Sequence, residues 1–542
     1  MRSKAFYCLL LLLAIGNSCF AISTNPIQGL VHRVAPAYEN RISFGTISAD
    51  SGKDVFELEY SQGKLIIRGN NFNSMAVGLN YYLNNYCHTT VSWYKNDAVY
   101  LPEVMPVITG KIKRSARVKN RFFLNYCTFG YTMPWWQWAD WERLIDWMAL
   151  HGINMPLSIT GEEMVWYKVW KKFGLTDEQI RSYFTGPAYL PWHRMANIDR
   201  WGGPLPFSWL NGQFALQKKI VARERDLNMT PVLPAFAGHV PAAIKTRFPN
   251  AKITSLGEWG GFSKKYRSNF LDPFDPLFNK IQQSFLTEQT KAFGTDHIYG
   301  ADPFNEVTPP SWEPDYLASV SKTIYGSMAA VDPKAVWLQM SWLFYIDKDK
   351  WTNERIRSFL TAVPQNKMML LDYYCENTEV WKLTDSFYKQ PYLWCYLGNF
   401  GGNTMLVGNL KEVEARMENA LNNGGANLSG IGSTLEGFDM NPGMYDYVFE
   451  KAWSEGPVDV NKWINGWAKR RPGGNDRHVE NAWQQLLNTA YGSKDELGAA
   501  ALTNAKPGFT GHGNWTTNPA ISYKNADLLA AWQQLLQSNV KA

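Results

Sequence analysis

Two glutamates, Glu306 and Glu436, stand in similar surroundings although they lie far apart in the chain. Each follows an apolar run, and each precedes residues that interrupt regular structure: Val-Thr-Pro-Pro after the first and Gly-Phe-Asp-Met-Asn-Pro after the second. Proline removes a backbone donor and fixes φ, so both glutamates mark the end of an element. Two carboxyl groups that meet in one cavity can protonate a departing oxygen and stabilise the positive carbon beneath it. At a separation of roughly 5 to 5.5 Å, such a pair cleaves an acetal with retention.

The signatures of other common chemistries are missing from the sequence. It contains no HExxH, no pair of His at ligand spacing and only eight His in all, which argues against a metal site. It contains no GxGxxG, GxxxxGK(S/T) or GxSxG, which disfavours dinucleotide, phosphate-loop and serine-hydrolase chemistry. The net charge of +6 is spread without a basic run, which argues against nucleic-acid binding. We therefore expect neither a cofactor nor a metal.

Strands must position the two glutamates, and eight short β-rich runs alternate with helical stretches through the middle of the chain. Eight is the number of strands that a closed (β/α)8 barrel, the TIM-like fold, requires. The repeated alternation carries this prediction, because one short apolar run does not distinguish a strand from a buried helix. The runs are residues 121–128, 152–159, 229–236, 297–304, 335–342, 367–374, 391–398 and 428–435.

In a closed barrel the carboxyl ends of the strands converge on one mouth, so polar residues just past each run are the functional candidates. Glu306 and Glu436 belong to this set, which is rich in carboxylates and amides. Glu162, Glu163 and Glu376 are possible substitutes, but a structural ion pair is the more usual role of such residues. The candidates are Asn125, Cys127, Glu162, Glu163, His239, Asn305, Glu306, Trp342, Cys375, Glu376, Asn399, Asn403 and Glu436.

The pattern divides the rest of the chain into three regions. The pattern predicts a small α/β domain over residues 22–110, the barrel over residues 111–440 and an all-α domain over residues 441–542. The connection between the second and third barrel runs, roughly residues 160–228, is long and rich in Trp and Gly-Pro. An insertion of this length belongs on the face where the site is built.

Residues 1–21 predict a secretory signal peptide, because two basic residues precede an apolar block that is too short to cross a bilayer. We therefore expect no membrane span and a secreted or periplasmic protein, or a lysosomal one in a eukaryote. Cleavage leaves Cys87, Cys127, Cys375 and Cys395, whose irregular spacing fits neither a CxxC metal site nor a disulfide scaffold. The oligomeric state stays open, a homo-oligomer included.

Several long stretches make the sequence similar to the α-N-acetylglucosaminidases, a family of glycoside hydrolases. They include "WWQWADWERLIDWMALHGIN", "FTGPAYLPWHRM", "TPVLPAFAGHVP", "FGTDHIYGADPFNE" and "LEGFDMNP", and the likeness spans about residues 30–520. The resemblance implies that terminal non-reducing α-linked N-acetylglucosamine is removed from glycans in two displacement steps, with retention. It also implies the same barrel followed by a longer helical C-terminal domain, so we expect that domain to be shortened here.

The resemblance further implies roles for residues within the matching stretches. Glu306 in "FNE" would be the general acid/base, Glu436 in "LEG" the nucleophile, and Asn305 a contact of the sugar. The other residues implied to line the sugar pocket are Asn125, Cys127, Trp192, His239, Trp259 and Trp342.

Two alternatives compete with this interpretation. The first is a non-catalytic carbohydrate-binding protein, since 15% of the residues are aromatic and 24 are Trp, whose flat faces match pyranose rings. Two glutamates at strand ends argue against binding alone. The second is a different barrel hexosaminidase that uses the acetamido group of its own substrate as the nucleophile. That chemistry requires two adjacent acids after the fourth strand, where this chain has Asn305 and Glu306.

Overall fold

The predicted signal peptide, residues 1–21, and the candidate Asn403 lie outside the part of the chain that the structure describes. Within the described part, every helix is too short or too polar to cross a membrane. The computed structural model describes residues 25–97, 99–402, 406–493 and 523–539.

The N-terminal region is a four-stranded sheet with a helix packed on it. Its strands are β1 Ile42–Thr46, β2 Val55–Ser61, β3 Lys64–Gly69 and β4 Lys111–Ser115. They lie in the order β1-β3-β2-β4, with β1 parallel to β3 and the other pairs antiparallel. The helix Phe72–Asn85 begins where the Asn71 side chain accepts the Ser74 N–H at 2.8 Å. A shorter helix, Pro26–Val34, precedes the sheet.

The strands of the remaining chain form a closed barrel and a small accessory sheet. They are β5 Asn120–Phe123, β6 Met155–Pro156, β7 Leu233–Pro234, β8 His239–Val240, β9 Ile253–Ser255, β10 Asn269–Leu271, β11 Ile298–Gly300, β12 Val336–Met340, β13 Met368–Asp372, β14 Tyr392–Tyr396 and β15 Leu428–Ser433. Eight of these described strands form one parallel sheet in the order β6-β5-β15-β14-β13-β12-β11-β7. Leu157 after β6 pairs in parallel with Val232 before β7, which closes the sheet.

The closed parallel barrel confirms the predicted (β/α)8 fold. Each of the eight predicted runs overlaps one barrel strand, in the predicted order along the chain. β6 and β7 are only two residues long, far shorter than their runs. Both end in proline, Pro156 and Pro234, which has no N–H to continue the ladder.

Most connections between barrel strands are helical. Helix Trp138–Leu150 begins at a capping box, and Leu144, Trp147 and Met148 on one of its faces are fully buried. The helical segments of the barrel are Thr128–Tyr131, Trp138–Leu150, Glu162–Lys172, Asp177–Tyr183, Leu190–Arg194, Phe207–Asp226, Ile244–Arg247, Pro276–Phe293, Pro314–Ala329, Trp342–Ile346, Asn353–Thr361, Val380–Leu383, Asp385–Tyr388 and Leu410–Asn423.

An accessory sheet that the sequence pattern did not reveal lies between β7 and β11. It is antiparallel, with the order β8-β10-β9. Residues 256–268 join β9 to β10, and the Leu256 N–H donates to the Ser268 carbonyl at 2.9 Å to close this loop. We call residues 256–268 the hairpin loop.

The C-terminal region is helical, as predicted, and the described residues beyond 441 contain no strand. Trp467 and Trp483 pack edge to face with ring centroids 4.4 Å apart, which joins two of its helices. The helices are Gly443–Lys451, Val460–Arg470, Arg477–Asn488 and Asn525–Leu536.

Candidate active site

A cavity of about 560 Å³ opens where the carboxyl ends of the barrel strands converge. Its volume lies in the range of roughly 300 to 1,000 Å³ that small-ligand sites occupy. Eight of the nine predicted site residues line it: Asn125, Cys127, Trp192, Trp259, Asn305, Glu306, Trp342 and Glu436. The structure therefore brings together side chains from six well-separated stretches of sequence.

Glu306 follows β11, and two indoles hold its carboxyl group. The Nε1–H of Trp259 donates to Oε2 at 2.7 Å, and the Nε1–H of Trp342 donates to Oε1 at 2.8 Å. Trp259 comes from the hairpin loop, and Trp342 begins the helix Trp342–Ile346 after β12. Because each oxygen has its own donor, the plane of the carboxyl group is defined by the protein.

The backbone that presents Glu306 is strained. Phe304 and Glu306 have φ values of 65° and 53°, in the left-handed region that favours glycine. Such residues cost about 1 to 3 kcal/mol each and persist where the surroundings define them. Here the partly buried Asp302 carboxylate accepts the Met340 N–H at 2.7 Å, which ties the loop after β11 to β12. Burial raises the pKa of Asp302 to about 7.

Glu436 follows β15, and its carboxyl group meets a backbone donor and a thiol. The Gly401 N–H donates to Oε2 at 2.5 Å, and Cys127 forms a side-chain hydrogen bond with the same carboxyl group. Burial raises the pKa of Glu436 to about 7, and the nearby charge of Glu306 adds to this effect. The hydrogen bonds from Gly401 and Cys127 act in the opposite direction. Glu436 therefore lies close enough to Glu306 for the charge of Glu306 to raise its pKa.

The loop that carries Glu436 is fastened to the first strand of the barrel. Asn125 Nδ2 donates to the Thr434 carbonyl at 2.8 Å, and Thr128 Oγ1 donates to the Leu435 carbonyl at 2.7 Å. Both donors are buried. The seam where the last barrel strand meets the first thus fixes the position of the second glutamate.

Cys127 belongs to the same seam. Its backbone N–H donates to Asn125 Oδ1 at 2.9 Å, which orients the residue toward the cavity. Burial raises the pKa of the Cys127 thiol well above its usual range, and the charges of Glu436 and Glu306 add to this. The side chain is therefore a neutral S–H donor toward Glu436 and not a thiolate nucleophile.

Asn305 is almost fully buried beside Glu306. Its Nδ2 contacts Met195 Sδ at 3.3 Å, and its backbone carbonyl accepts a hydrogen bond from Asn197 Nδ2 at 3.1 Å. Its Oδ1 has no hydrogen-bond partner among the described residues. A buried amide oxygen without a donor costs about 1 to 3 kcal/mol, so an N–H or O–H group on a ligand would be favourable here.

Sequence reasoning missed half of the cavity lining. The ring centroids of Tyr131 and Trp192 lie 5.3 Å apart, and those of Trp192 and Trp259 lie 6.1 Å apart, so these aromatic side chains form one wall of the cavity. Tyr131, Tyr373 and Phe400 each lie at or just beyond the end of a predicted run. Extending the strand-end rule from polar to aromatic residues would have found them. The missed residues are Tyr131, Met195, Gly260, Met340, Ile346, Asp347, Tyr373 and Phe400.

The other carboxylate candidates have structural partners. Arg194 Nε lies 3.2 Å from Glu162, and Arg194 Nη2 lies 2.8 Å from Glu163, which anchors the helix that carries Trp192. Glu376 accepts the backbone N–H groups of Leu397 at 3.0 Å and of Gly398 at 2.6 Å. None of these three glutamates is part of the cavity lining in the described structure.

Besides His239, three more candidates from the strand ends remain: Cys375, Asn399 and Asn403. Cys375 is buried, and its thiol donates to the Asp372 carbonyl at 3.1 Å. Asn399 accepts the Glu436 N–H through its backbone carbonyl at 3.0 Å, so it supports the site from behind. Asn403 lies outside the described residues.

His239 does not line the cavity, contrary to the prediction. After β7 the chain turns at Gly238, which has φ 117°, and enters the accessory sheet at β8. His239 Nε2 then lies 2.6 Å from Asp199 Oδ1, and His193 Nδ1 lies 3.3 Å from the same oxygen. Burial opposes ionisation of Asp199, but the two imidazoles lower its pKa overall. A residue just past a strand end faces the mouth only if the chain does not fold back into a second sheet.

The side chains of His193, Asp199 and His239 offer ligand atoms that lie within 4.8 Å of one another, as a metal site would. The contact of 2.6 Å between His239 and Asp199 is the length of a charged hydrogen bond. We therefore interpret the three as a buried hydrogen-bonded network.

A second cleft, of about 520 Å³, lies between the N-terminal sheet, the barrel and the C-terminal helices. Glu450, a carboxylate that lines this cleft, already has protein partners. It forms an ion pair with Arg470 and accepts hydrogen bonds from Trp463 Nε1 at 2.8 Å and Asn84 Nδ2 at 3.2 Å. Of these two cavities, the one at the barrel mouth contains both Glu306 and Glu436.

Comparisons with known proteins agree with this geometry. The family model described as the alpha-N-acetylglucosaminidase (NAGLU) tim-barrel domain matches residues 121–455. The N-terminal and C-terminal domain models of the same family match residues 25–107 and 463–542. Human alpha-N-acetylglucosaminidase is 40% identical over 519 residues, which are 94% of this chain and 69% of the human protein.

Solved structures give the same result. A family 89 glycoside hydrolase from Clostridium perfringens, in complex with 2-acetamido-1,2-dideoxynojirimycin, has a TM-score of 0.87 at 29% identity and covers 99% of this chain. A variant from that organism with two glutamate-to-glutamine substitutions, bound to GlcNAc-alpha-1,4-galactose, has a TM-score of 0.86 at 29% identity and covers 98% of this chain. This chain spans 60% and 59% of the lengths of those two chains.

A more distant likeness concerns the fold alone. A Streptomyces plicatus beta-hexosaminidase in complex with GlcNAc has a TM-score of 0.54 at 12% identity, covering 83% of this chain and 88% of that chain. The barrel is thus shared widely, whereas the family models match all three regions of this chain. This chain therefore belongs to the α-N-acetylglucosaminidase family of glycoside hydrolases.

Proposed function

We propose that this protein removes terminal non-reducing α-linked N-acetylglucosamine from glycans, with retention, in two displacement steps. The observation that carries the proposal is that Glu306 and Glu436 line one cavity, where the charge of one raises the pKa of the other. Membership of the family supports the choice of sugar and of anomer.

The stereochemistry of the substrate explains why the protein must provide the nucleophile. In an α-linked 2-acetamido sugar, the acetamido group lies on the same face of the ring as the departing oxygen. Its carbonyl oxygen therefore cannot attack the anomeric carbon from behind. Glu436, which has no protonated basic side chain to neutralise it in the described cavity lining, is the group available for that attack.

In the first step, Glu306 gives a proton to the glycosidic oxygen while a Glu436 oxygen bonds to the anomeric carbon. The C–O bond to the leaving group breaks, and a glycosyl ester forms on Glu436. In the second step, Glu306 accepts a proton from water, the water oxygen attacks the anomeric carbon, and the ester bond breaks. Both carboxyl groups return to their starting states, and the two inversions give net retention.

At the start of this cycle, one of the two carboxyl groups must carry the proton that the leaving oxygen receives. The productive form has the proton on Glu306 and the charge on Glu436. Donation from the Gly401 N–H and from the Cys127 thiol favours the charge on Glu436. The same two donors remain in place when the ester forms.

A chromogenic assay with 4-nitrophenyl α-N-acetylglucosaminide tests the activity, and proton NMR of the first-released sugar tests the stereochemistry. We expect turnover by the full chain and the α-anomer as the initial product. Initial release of the β-anomer would contradict retention. Binding of N-acetylglucosamine without any turnover would instead favour a carbohydrate-binding protein.

The glycan to which the sugar is attached requires a separate experiment. GlcNAc-alpha-1,4-galactose, the disaccharide bound by the Clostridium perfringens relative, is the first substrate to try. A panel of defined oligosaccharides that end in α-linked N-acetylglucosamine would then rank the leaving groups. We propose that the protein meets such glycans outside the cytoplasm, on the strength of residues 1–21.

A further inference from the structure

Two of the tryptophans that line the cavity have their polar edges turned to a protein group. An indole has one N–H donor and no acceptor. In Trp259 and Trp342 that donor is engaged by Glu306, at 2.7 and 2.8 Å. Neither indole can give the same hydrogen to a sugar hydroxyl while it holds the glutamate.

We propose that Trp259 and Trp342 are positioning residues for the acid/base Glu306, and that their N–H groups act on proton transfer and not on sugar recognition. This inference rests on the proposed function. It changes the role of both residues from contacts of the sugar to partners of the acid.

The arrangement suits a group that must release a proton and later take one back. When Glu306 protonates the leaving oxygen, negative charge appears on its carboxyl group. Two N–H dipoles already aimed at its two oxygens stabilise that charge without reorganisation. The described residues that line the cavity include no Lys, Arg or His, so these indoles provide stabilisation that a cation supplies in other sites.

The two donors also fix where the proton is delivered. Each carboxyl oxygen accepts one indole N–H, which leaves its other lone pair for the proton. Trp259 and Trp342 come from different segments, the hairpin loop and the helix after β12, so the carboxyl group is held from two sides. The strained backbone at Glu306, with φ 53°, offers the third constraint.

The test compares substrates that need the acid with substrates that do not. The leaving group of 2,4-dinitrophenyl α-N-acetylglucosaminide departs with little protonation, whereas that of GlcNAc-alpha-1,4-galactose requires a full proton. Trp259→Phe and Trp342→Phe each remove one N–H and keep an aromatic ring. We expect each to lower kcat/KM for the disaccharide by about tenfold or more, because the loss of a hydrogen bond to a charged group has an effect of this size. For the aryl glycoside, which needs little protonation, we expect kcat/KM to fall by less than about threefold.

A matched control exists elsewhere in the barrel. Trp381 Nε1 donates to Glu379 at 3.0 Å, and neither residue lines the cavity. Trp381→Phe removes the same chemical group from the same kind of pair, and we expect wild-type kcat/KM for both substrates. Thermal unfolding of every variant shows whether it is folded, and because the two test indoles lie on different segments, one variant suffices if the other is unfolded.

The outcomes separate this inference from the proposed function. If the wild-type chain hydrolyses neither substrate, the proposed function fails. If it hydrolyses both, and folded Trp259→Phe and Trp342→Phe lose activity equally on the two substrates, the positioning role is overturned and a general binding role replaces it. Trp342→His keeps a ring N–H, so we expect its activity on the disaccharide to be higher than that of Trp342→Phe. Equal activity of the two variants on the disaccharide would also count against the inference.

Discussion

Two glutamates of this barrel each accept hydrogen bonds from two indoles, and they serve different ends. In Glu306, one carboxyl oxygen accepts the indole N–H of Trp259 and the other accepts that of Trp342. In Glu379, a single oxygen, Oε1, accepts both indole N–H groups, from Trp381 at 3.0 Å and from Trp394 at 3.1 Å. Its second oxygen pairs with Lys382.

The difference between the two lies in the neighbours of the carboxylate. Glu379 is 6% exposed and has a cation, Lys382, within ion-pair distance, so its carboxylate has a charged partner in the protein. Glu306 faces the cavity and has an acid, Glu436, where Glu379 has a base. A pair of indole donors is therefore compatible with a structural or a reactive glutamate, and the third neighbour decides which.

Replacing the carboxyl group in each region should give the largest contrast. Glu306→Gln keeps the shape and removes the proton donor, so we expect kcat/KM for GlcNAc-alpha-1,4-galactose to fall by about 10² to 10⁴-fold. Glu379→Gln leaves the cavity intact, so its kcat should stay within about twofold of wild type. Steady-state kinetics at one pH measure both.

The same pair of variants also identifies a wrong assignment. Full activity of Glu306→Gln on the disaccharide would remove the residue from the mechanism. A loss of activity in Glu379→Gln comparable to that in Glu306→Gln would mean that the two regions are coupled, and the distinction drawn here would fail.

The cavity carboxylate should lower stability where the structural one raises it. The pKa of Glu436 is raised to about 7 by burial and by Glu306, so the folded protein favours the protonated form. Below the ordinary carboxyl pKa of 4.5 this costs nothing; the loss of stability grows as pH rises from there and is complete above about 7, where the folded form is also ionised. Glu436→Gln should therefore stabilise the fold by about 1 to 3 kcal/mol at pH 8 and by much less at pH 5. Glu379→Gln should destabilise at both values, because Lys382 loses its partner.

Chemical denaturation at pH 5 and pH 8 measures these differences. Equal stabilisation by Glu436→Gln at the two pH values would contradict a shift of its pKa. A stabilising Glu379→Gln would contradict the structural role of that residue.

The barrel and its two glutamates could be predicted from the sequence because they follow from a local pattern. Each strand is a short apolar run, and the convergence of strand ends places Glu306 and Glu436 at one mouth without knowledge of any contact. The polar contacts could not be predicted in this way. Trp259 reaches Glu306 from a hairpin loop within the accessory sheet, and no periodicity in residues 237–296 revealed that sheet.

The same limit explains the placement of His239 and the role of Glu379. His239 follows a predicted run, yet the turn at Gly238 carries it into β8 and toward Asp199. Glu379 has an aromatic neighbour two residues later and Lys382 three residues later, which is a local signal of an ion pair. The sequence shows which glutamate has a nearby cation. It does not show which indole donates to which carboxyl oxygen, because that depends on the tertiary fold.

Cys127 offers a smaller test of the environment around the reactive pair. Its thiol hydrogen-bonds Glu436 and lowers the pKa of that carboxyl group. Cys127→Ala should reduce kcat by about five- to twentyfold, and Cys127→Ser, which keeps a donor, by less. Cys395→Ala, which removes a buried thiol outside the cavity lining, is the control and should leave kcat unchanged. Equal losses in Cys127→Ala and Cys127→Ser would mean that the side-chain volume matters and the hydrogen bond does not.

The smallest effect is expected from Lys382, the neighbour that separates the two glutamates. Its side chain is 44% exposed, so water screens its attraction to Glu379, and such pairs contribute about 0 to 1 kcal/mol. Lys382→Met should therefore lower the free energy of unfolding by less than about 1 kcal/mol, with kcat unchanged, and the loss should shrink further in 1 M salt. Denaturation at low and high salt measures it. If the variant instead loses several times that stability, Glu379 depends on its cation far more than on its two indoles. Glu306, which has indoles and no cation, would then require another source of stabilisation for the charge that forms on it during proton transfer.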